Sequence, residues 1–424
     1  MSDFTRRDFM KQSATLGLVG ASTISFPNIL HARNKYPTLK VLGTHVTLQK
    51  EIQKKAQEDL KINLEFTPGG SAEVMLNASL DPSSFDIYEQ WSNSIRPLWN
   101  ADAIQSIDIK KLKYYDEINP LSKTGKITPN AKVGAGDAPN KILFIQEDGS
   151  LGSTPTDKIS FMPYVHNVDS FGYNAAVIPK GIAYETESWA WLLDKKHHGR
   201  VALVNEPTIG IFDAALAAEA AHLMKFKDIG NMSIKEIDTL FSILLEKKKS
   251  GHFRGVWSSV PHSVELMEKN QVDIESMFSP AASALRGKGI ECVYAAPKEG
   301  YRAWHGVQCL SSACEGEQKD AAYEYMNWWL SGWAGAFIAK QGYYISNPER
   351  AKSLMSEAEW DYWYDGKVAA QDLRGTDGNI SVRKGDLRRG GSYIKRFENV
   401  AVWNTVMSNY DYTLEKWNEF VLAR

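Results

Sequence analysis

Polar, acidic and aromatic side chains follow segments with the pattern of buried strands. Thr44 and His45 follow the first such segment, Glu89 and Trp91 follow the third, and Glu206 follows one in the second half of the chain. A carboxylate or the π face of an indole attracts an ammonium group, and hydroxyl and imidazole groups supply neutral hydrogen bonds. These residue types therefore predict a binding site for a small solute.

The first half of the chain alternates strand and helix patterns. Residues 39–43, 62–66 and 85–88 have the apolar or alternating patterns of strands. Between them, residues 48–60 carry an apolar stripe with a spacing of four, and residues 71–80 predict a second helix. This βαβαβ order predicts a mostly parallel sheet flanked by helices. Ligands of such sheets bind beyond the carboxyl ends of the strands, where the residues named above are expected to meet.

The second half of the chain repeats this pattern. Residues 200–204 indicate a strand, after which Asn205, Glu206, Pro207 and Thr208 lead into a predicted helix that continues to Leu223. Proline near the first helical position is typical of a helix start. The free amide groups at this start suit an anionic or hydrogen-bonding ligand group.

A long segment rich in Gly, Pro, Asp and Lys lies between the two halves, at residues 129–158. Such residues favour turns and irregular structure over regular elements. We therefore expect this segment to be extended and to lie on the surface.

The N-terminal residues have the pattern of a cleaved twin-arginine export signal. Arg6 and Arg7 stand in the segment Thr-Arg-Arg-Asp-Phe-Met-Lys, residues 12–26 carry no charge, and Ala32 is a small residue at which a signal peptidase could cut. A receptor reads this signal as an address, and its apolar stretch is shorter than the ~20 residues of a membrane-spanning helix. We expect residues 1–32 to be removed, the twin-arginine export machinery to be a partner, and the mature protein to work in the periplasm.

The composition is that of an ordinary globular protein. Of the 424 residues, 43% are hydrophobic and 24% are charged, and the net charge of −2 argues against nucleic acid or an anionic membrane as the main partner. The length allows two domains, and the sequence predicts no membrane-spanning helix, metal or cofactor. Cys292, Cys309 and Cys314 are expected to be small buried residues, while a disulfide between Cys309 and Cys314 stays open.

A series of short motifs runs in a fixed order from about residue 40 towards the C-terminus. In chain order they are Phe85-Asp86-Ile87, Met162-Pro163-Tyr164 with Gly172-Tyr173-Asn174, Glu187-Ser188-Trp189 with Gly199-Arg200-Val201-Ala202, Pro297-Lys298-Glu299-Gly300 with Trp304, Ala321-Ala322-Tyr323 with Asn327, and Gly342-Tyr343-Tyr344 before Asn347-Pro348. This order resembles the solute-binding proteins of ABC importers, above all the spermidine/putrescine-binding type. The resemblance implies an α/β fold of the two-lobed type II periplasmic binding protein, in which each lobe is a mostly parallel sheet flanked by helices.

The resemblance also implies the domain organisation and the partners. Lobe 1 is expected to comprise residues 37–160 and about 305–345, and lobe 2 residues 161–304 and about 346–424. One small-molecule ligand would lie in the cleft between the lobes, which would close around it by a hinge motion. We expect a monomer that delivers its ligand to an inner-membrane ABC permease and is not an enzyme.

Several aromatic residues match ligand-contacting positions of the family. Trp304 corresponds to a pocket tryptophan of the polyamine binders, and Phe278 replaces a second one. Trp91 and Trp257 are further candidates at the rim. Gly306 stands where the polyamine binders carry an aspartate that pairs with an amine. The ligand is therefore expected to be polyamine-like or another small amine or osmolyte.

The acidic and imidazole candidates complete the predicted site. Glu89 and Glu206 could take the place of the family's carboxylates from shifted positions, and His45 and His305 stand next to predicted pocket positions. We predict that Trp304, Phe278, Trp91 and Glu89 face one cleft.

Alternative functions stay open from the sequence. The pairs Tyr343-Tyr344 and Tyr114-Tyr115 allow a ferric-iron binding protein of the same fold, since iron takes oxygen ligands. An organophosphonate binder would use the helix start near Asn205. Twin-arginine export is also used by periplasmic enzymes, although the chain has no dinucleotide-binding, nucleophile-elbow, zinc-protease or iron–sulfur motif.

Overall fold

The computed structural model describes residues 36–423. Its strands form one large sheet and two small ones. The predicted signal at residues 1–32 lies outside the described residues. The strands are β1 (Thr38–Thr44), β2 (Asn63–Gly69), β3 (Ile87–Trp91), β4 (Ile104–Gln105), β5 (Ile107–Asp108), β6 (Phe144–Ile145), β7 (Leu151–Gly152), β8 (Lys158–Ile159), β9 (Met162–Asn174), β10 (Val201–Val204), β11 (Phe253–Trp257), β12 (Ile274–Met277), β13 (Cys292–Tyr294), β14 (Tyr301–Ser311), β15 (Tyr344–Ile345), β16 (Leu373–Arg374), β17 (Ile380–Val382) and β18 (Val400–Trp403).

Helices cover the faces of the large sheet. The α-helices are α1 (Lys50–Leu60), α2 (Ser71–Leu80), α3 (Ile95–Asn100), α4 (Pro120–Thr124), α5 (Asn140–Leu143), α6 (Gly210–Ala220), α7 (Ile234–Lys249), α8 (Val260–Glu268), α9 (Ser279–Gly287), α10 (Gly316–Leu330), α11 (Trp333–Ala339), α12 (Pro348–Lys352), α13 (Glu357–Trp363), α14 (Tyr393–Phe397) and α15 (Tyr410–Leu422). Short 3-10 helices span Pro82–Ser84, Ser92–Ser94, Ile109–Lys111, Tyr115–Glu117, Trp189–Leu193 and Lys195–His197.

The large sheet contains twelve strands, with the main order β11-β10-β12-β9-β14-β3-β1-β2. At one end, β1 pairs in parallel with β2 and β3, and at the other end β10 pairs in parallel with β11 and β12. In the middle, β9 and β14 pair antiparallel to each other and to their neighbours β12 and β3. The predicted α/β fold of the periplasmic binding protein type is confirmed, with two parallel units joined into one curled mixed sheet.

The central strands β9 and β14 are buried along their full lengths. They are long enough to contribute residues to three apolar clusters. One cluster packs around β1 to β3, with Tyr164 and Val307 as members, and a second packs around β10 and α6, with Phe171 as a member. The third lies behind the middle of the sheet and includes Val168 and Ala303. The same two strands therefore form the core of both units and the connection between them.

Most elements of the first half were predicted correctly from the sequence. The helix of residues 71–80 and the strand of residues 39–43 lie within one residue of α2 and β1. The third strand, predicted at residues 85–88, instead spans Ile87–Trp91. Glu89 and Trp91 are therefore strand residues and not loop residues, and this shift decides where their side chains lie.

In the second half, the helix starts later than predicted. Pro207 lies in a turn that precedes the helix, and α6 begins at Gly210. The amide groups of Ile209 and Gly210 donate to the carbonyl of Glu206, at 3.0 and 2.6 Å, so the chain turns tightly before the helix begins. A Cβ atom on Gly210 would lie 2.3 Å from the carbonyl oxygen of Val204, so glycine allows this close approach to β10.

The prediction that residues 129–158 form an extended surface segment is wrong. Ile142 and Leu143 of α5 are fully buried, and β6, β7 and β8 form a small antiparallel sheet with β5. The Gly and Pro residues of this segment indicate its turns correctly. The segment also contains a short apolar run, which packs into the first cluster and which the prediction overlooked.

The cysteines are all buried and free, as the sequence favoured. A disulfide between Cys309 and Cys314 is therefore not present. Within residues 36–423, no helix has the length and apolar character needed to cross a membrane.

Gly210 provides a test of this packing. We expect Gly210→Ala to lower the free energy of unfolding by roughly 1–3 kcal/mol, because its Cβ would overlap a backbone carbonyl and the ring of Trp417. Gly287, at the end of α9, has no atom within 4 Å of the corresponding Cβ position. Gly287→Ala is expected to be neutral or stabilising by up to about 1 kcal/mol. Urea denaturation of both variants checks the prediction, and equal effects would contradict it.

Candidate functional site

The residues of the candidate site lie on one face of the two central strands. In the antiparallel register of β9 and β14, Arg302 faces Asp169 and Trp304 faces Asn167. Residues opposite each other in such a ladder project from the same side of the sheet, so these four side chains share one face. We call it the hinge face, because β9 and β14 connect the two parallel units.

Aromatic rings approach the hinge face from both units. The ring centroids of Trp91 and Trp304 are 4.4 Å apart, and Tyr343 packs edge-on against Trp304 at 5.7 Å. From the other unit, Phe278 packs edge-on against Trp257 at 5.0 Å. Trp91 and Phe278 are partly exposed, whereas the Trp257 indole is buried and its Nε1 donates to the carbonyl of Ser276. Of these rings, Trp91 and Phe278 keep exposed surface at the hinge face, while Trp304 packs behind Trp91 and Trp257 behind Phe278.

A buried charge cluster stands between these rings. The Arg302 guanidinium donates from Nε to Asp213 Oδ1 at 2.7 Å and from Nη1 to Asn404 Oδ1 at 3.1 Å. Its Nη1 also lies 3.4 Å from Asp169 Oδ2, and its Cζ lies 5.9 Å from the ring centroid of Phe278. The three charged side chains are at most 4% exposed. One guanidinium thus ties together β9, β14, α6 and the segment after β18.

Burial and the neighbouring guanidinium act in opposite directions on the two aspartates of the charge cluster. Burial raises the pKa of Asp213 to about 6, against the attraction of Arg302, which lowers it. Burial also raises the pKa of Asp169, again opposed by Arg302. The cluster holds two carboxyl groups for one guanidinium.

A further acidic group lies where the two units touch. Thr208 donates to Glu206 Oε2 at 2.7 Å, and Asn93 Nδ2 donates to Thr208 Oγ1 at 3.3 Å. Asn93 follows β3 and Thr208 follows β10, so this contact joins the two units directly. Glu206 is half-buried, and burial raises its pKa to about 7, although the Thr208 hydroxyl lowers it.

Some of the buried polar atoms without a protein partner lie at the hinge face and at the ends of β1 and β3. They are Thr44 Oγ1, Ser92 Oγ, Asn93 Oδ1, both amide atoms of Asn167, and Arg302 Nη2. A buried donor or acceptor that stays unpaired costs roughly 1–3 kcal/mol. Such atoms beside aromatic rings are typical of a site that completes its hydrogen bonds with a ligand.

Glu89 is not placed as predicted. It lies inside β3, fully buried, where it accepts from Gln308 Nε2 at 2.6 Å and Tyr164 OH at 3.4 Å. Burial raises its pKa to about 7, and hydrogen bonds that include those from Thr47 and Gln308 lower it. Its carboxylate already has these partners inside the first unit, so Glu89 is not among the proposed ligand contacts.

The two histidines also differ from expectation. His45 is exposed on the loop after β1. His305 projects from the opposite side of β14, where its Nε2 lies 2.8 Å from Ser122 Oγ and its Nδ1 lies 2.8 Å from the carbonyl oxygen of Gly306. Burial lowers the pKa of His305 to about 4. Both of its ring nitrogens are occupied, so His305 is a buried structural residue in this conformation.

Sequence reasoning missed Arg302, Asp169, Asp213 and Asn167. Asp169 and Asn167 stand in β9 between the two motifs quoted for that crossing, and Arg302 stands two residues before Trp304. Charged residues inside a long apolar strand were the available signal, since such residues are rarely buried unless paired. Asp213 gave no signal of its own, because its partner lies 89 residues away.

Among residues 36–423, no group of three or more His, Cys, Asp or Glu side chains is arranged to hold a metal. The tyrosines proposed for iron have separate neighbours: Tyr343 packs on Trp304, whereas Tyr114 packs on the Arg350 guanidinium at 3.7 Å.

Comparisons with known proteins identify the family and the fold of the chain. The family model for a bacterial extracellular solute-binding protein matches residues 49–365. No sequence among the curated proteins matches the chain. Among solved structures, a putative spermidine/putrescine ABC transporter from Listeria monocytogenes is similar with a TM-score of 0.64 and 14% identity, over 91% of this chain and 99% of that one.

Two further structures have similar folds. The Atu4243 GABA receptor has a TM-score of 0.57 and 15% identity, over 92% of this chain and 98% of its own. The binding protein AgtB from A. tumefaciens R10 in complex with agropinic acid has a TM-score of 0.53 and 12% identity, over 91% and 99%. These likenesses show the fold.

Removing the arginine of the buried charge cluster should cost far more stability than removing the lysine of an exposed ion pair. Arg302→Met is expected to destabilise the protein by roughly 3–5 kcal/mol, because it leaves two buried carboxylates without their partner. The control Lys113→Met removes a pair with Glu324 in which both side chains are more than half exposed, and it should cost about 0–1 kcal/mol. Denaturant titration at pH 7 measures both, and a loss below 1 kcal/mol in Arg302→Met would contradict the account.

The buried carboxyl of Glu89 predicts a pH dependence. Its native pKa of about 7 lies above the ordinary value of 4.5, so the folded state binds the proton more tightly. Stability from this group is therefore full below pH 4.5 and is lost as the pH rises to about 7. A shift of about 2.5 pKa units corresponds to roughly 3 kcal/mol. We expect Glu89→Gln to remove most of this dependence in urea titrations at pH 5 and pH 8. Parallel pH profiles of the variant and the wild type would contradict it.

Proposed function

The chain belongs to the bacterial extracellular solute-binding proteins, and on this premise we propose that it is the periplasmic substrate-binding component of an ABC importer. It captures a small organic amine, polyamine-like or an osmolyte, between its two parallel units. Closure of the cleft then presents the loaded protein, as a monomer, to an inner-membrane permease. The proposal assigns no catalytic role to the chain.

The observation that carries this proposal is the composition of the hinge face. Trp91 and Trp304 from one unit and Phe278 from the other offer flat apolar walls. Beside them lie buried polar atoms without protein partners, including both amide atoms of Asn167 and Arg302 Nη2. A site with aromatic walls and a few fixed polar groups is the usual form of a small-molecule pocket.

The charge balance at this face supports an amine. Asp169 and Asp213 contact the single guanidinium of Arg302, and Glu206 lies within the electrostatic influence of Arg302. Burial opposes ionisation of the three carboxyl groups, so a bound ammonium group would compensate charge that the protein leaves uncompensated. An ammonium also interacts favourably with the faces of indole rings.

The fold does not determine the identity of the ligand. The names of the similar structures mention spermidine/putrescine, GABA and agropinic acid, so one fold serves several small organic solutes. Gly306, where polyamine binders carry an aspartate, supports a ligand other than spermidine or putrescine. The contact between Asn93 and Thr208 supports closure around it, because it joins the loops of opposite units at 3.3 Å.

The predicted twin-arginine signal supports delivery to the periplasm in a folded state. Membership of an extracellular solute-binding family also supports export. To test the export route, residues 1–35 are fused to a reporter protein that becomes functional only in the cytoplasm, before export. A reporter that reaches the periplasm with Arg6 and Arg7 intact, and stays in the cytoplasm when both are replaced by Lys, is the expected result.

The aromatic walls give a direct test of ligand capture. We expect isothermal titration of residues 33–424 with putrescine, spermidine, glycine betaine and 4-aminobutyrate to detect one solute that binds with a stoichiometry of one. Trp91→Ala and Phe278→Ala should each weaken that binding by about tenfold or more, since a lost cation–π contact in a desolvated site costs roughly 1–2 kcal/mol.

The matched control is Trp360, a partly exposed tryptophan of α13 that stacks on Tyr364 at 4.2 Å. Trp360→Ala should leave the dissociation constant unchanged. Equal weakening by all three variants would show that the hinge face has no special part in binding.

A further inference from the structure

A second group of side chains lies beside the hinge face and has the opposite charge. Arg286, Arg388, Arg389 and Arg396 line one small pocket, together with Ser279, Tyr294 and Tyr362. We call it the arginine pocket. Arg388 is 7% exposed and Arg396 is 2% exposed, while Arg286 is half-buried.

Arg389 pairs with Glu187, but among the described residues the guanidinium groups of Arg286, Arg388 and Arg396 make no ion pair with an acid. Within the part of the chain that the structure describes, the ion pairs of arginine involve Arg96, Arg200, Arg302, Arg350 and Arg389. Arg388 donates to the carbonyl oxygens of Trp363 and Gly342, and Arg396 donates to those of Arg389 and Val168. Neutral carbonyl groups satisfy some of the donors but do not cancel the charges.

Two buried donors of the pocket have no acceptor at all. The Nε atoms of Arg286 and Arg396 make no hydrogen bond within the protein. Taking cations out of water without a counter-charge is costly. Three guanidinium groups that share a pocket, with two free N–H donors, therefore favour an anion that accepts hydrogen bonds.

The flank of a helix forms one wall of the pocket. Ser279, Ala282, Ser283 and Arg286 of the nine-residue helix α9 line it, with the spacing of three and four that marks one helix face. The helix therefore contributes the Arg286 side chain to the pocket.

The size of the pocket limits what it can hold. Its volume is about 20 Å³, whereas roughly 10–15 Å³ hold one water molecule. A whole organic solute does not fit, but the terminal oxygen atoms of an acidic group, or one edge of an oxyanion such as sulfate, do. Guanidinium groups are well suited to such oxygen atoms, because their N–H donors match the geometry of carboxylate and phosphate.

The arginine pocket is continuous with the hinge face. Ser279 directly follows Phe278, and the Tyr294 hydroxyl, which lines the pocket, donates to Asp169 Oδ1 at 3.1 Å. Gly342, which accepts from Arg388, directly precedes Tyr343 on the Trp304 ring. An acidic group in the pocket would therefore lie next to the proposed amine site.

From these observations we propose that the arginine pocket binds a small oxyanion group. Two sources share this chemistry: the anionic end of the solute held at the hinge face, and a free inorganic oxyanion. The first source rests on the proposed function and makes the solute zwitterionic, with its ammonium at the acidic hinge face and its oxyanion on Arg286, Arg388 and Arg396. The second source does not depend on it.

The test compares sodium sulfate with sodium chloride at equal ionic strength, in thermal unfolding of residues 33–424. We expect sulfate to raise the melting temperature in a saturable way at low millimolar concentration, whereas chloride does not. Sulfate also stabilises proteins by exclusion from their surface, but that effect grows without saturation. An effect of sulfate that does not saturate, or equal effects of both salts, would overturn the proposal.

Variants separate binding from a general salt effect. Arg286→Gln keeps a polar group at the half-buried rim of the pocket and should weaken sulfate binding by about tenfold or more. Arg254→Gln removes an exposed arginine of β11 and should bind sulfate as the wild type does. The same loss in both variants would overturn the proposal. The wild-type titration alone decides the question if Arg286→Gln fails to fold.

Titration of glycine betaine and 4-aminobutyrate in the presence of sulfate distinguishes the two sources. Competition would assign the pocket to the anionic end of the solute, and simultaneous binding would assign it to a free oxyanion. Solute binding with no sulfate effect on stability or on that binding would overturn the arginine pocket and leave the proposed function standing. Sulfate binding with no solute bound would support the pocket while the proposed amine function fails.

Discussion

One buried guanidinium, that of Arg302, connects the paired strands β9 and β14 with two neighbouring segments. Arg302 contacts Asp169 on the neighbouring strand, Asp213 on α6 and Asn404 after β18, all inside protein that excludes water. A buried pair gains little net stability over apolar packing, but loss of one partner is costly. We infer that the charge cluster fixes where these segments lie relative to one another. The aromatic rings and unpaired polar atoms of the hinge face take their positions from it.

Charge is distributed unevenly around the hinge face. On one side, Asp169 and Asp213 contact Arg302 and Glu206 lies within its electrostatic influence, and burial raises the pKa of each carboxyl. On the other side, Arg286, Arg388 and Arg396 line a pocket in which no acid pairs with them. Each side has uncompensated charge of one sign, which suits a ligand with charge of the opposite sign. A solute with both an ammonium and an oxyanion would satisfy both sides at once.

The fold could be predicted largely from the sequence, because apolar periodicity and motif order are local signals. The strand of residues 39–43 and the helix of residues 71–80 follow from spacing alone. Glu89 could not be placed in the same way, since a shift of three residues in β3 moves it from a loop into the core. A strand boundary depends on pairing with β1 and β14, and pairing is a long-range property that spacing does not reveal.

The candidate site was predicted only in part. The resemblance identified Trp304 and Phe278, and the structure places Trp304 against Trp91 and Phe278 near Arg302. The charge cluster could not be found in this way, because Arg302 and Asp213 meet across 89 residues of sequence. The arginine pocket combines α9 with residues near the C-terminus and was likewise hidden. Such contacts follow from the fold, and no local spacing indicates them.

The central claim is that this protein captures a small organic solute at its hinge face. The most direct measurement is a thermal-shift screen of residues 33–424 against polyamines, quaternary ammonium osmolytes, amino acids, phosphonates and ferric citrate. The account predicts saturable stabilisation by an organic amine, about 2.7 kcal/mol at roughly 100 times the dissociation constant. Stabilisation by ferric citrate alone, or by none of these compounds, would contradict it.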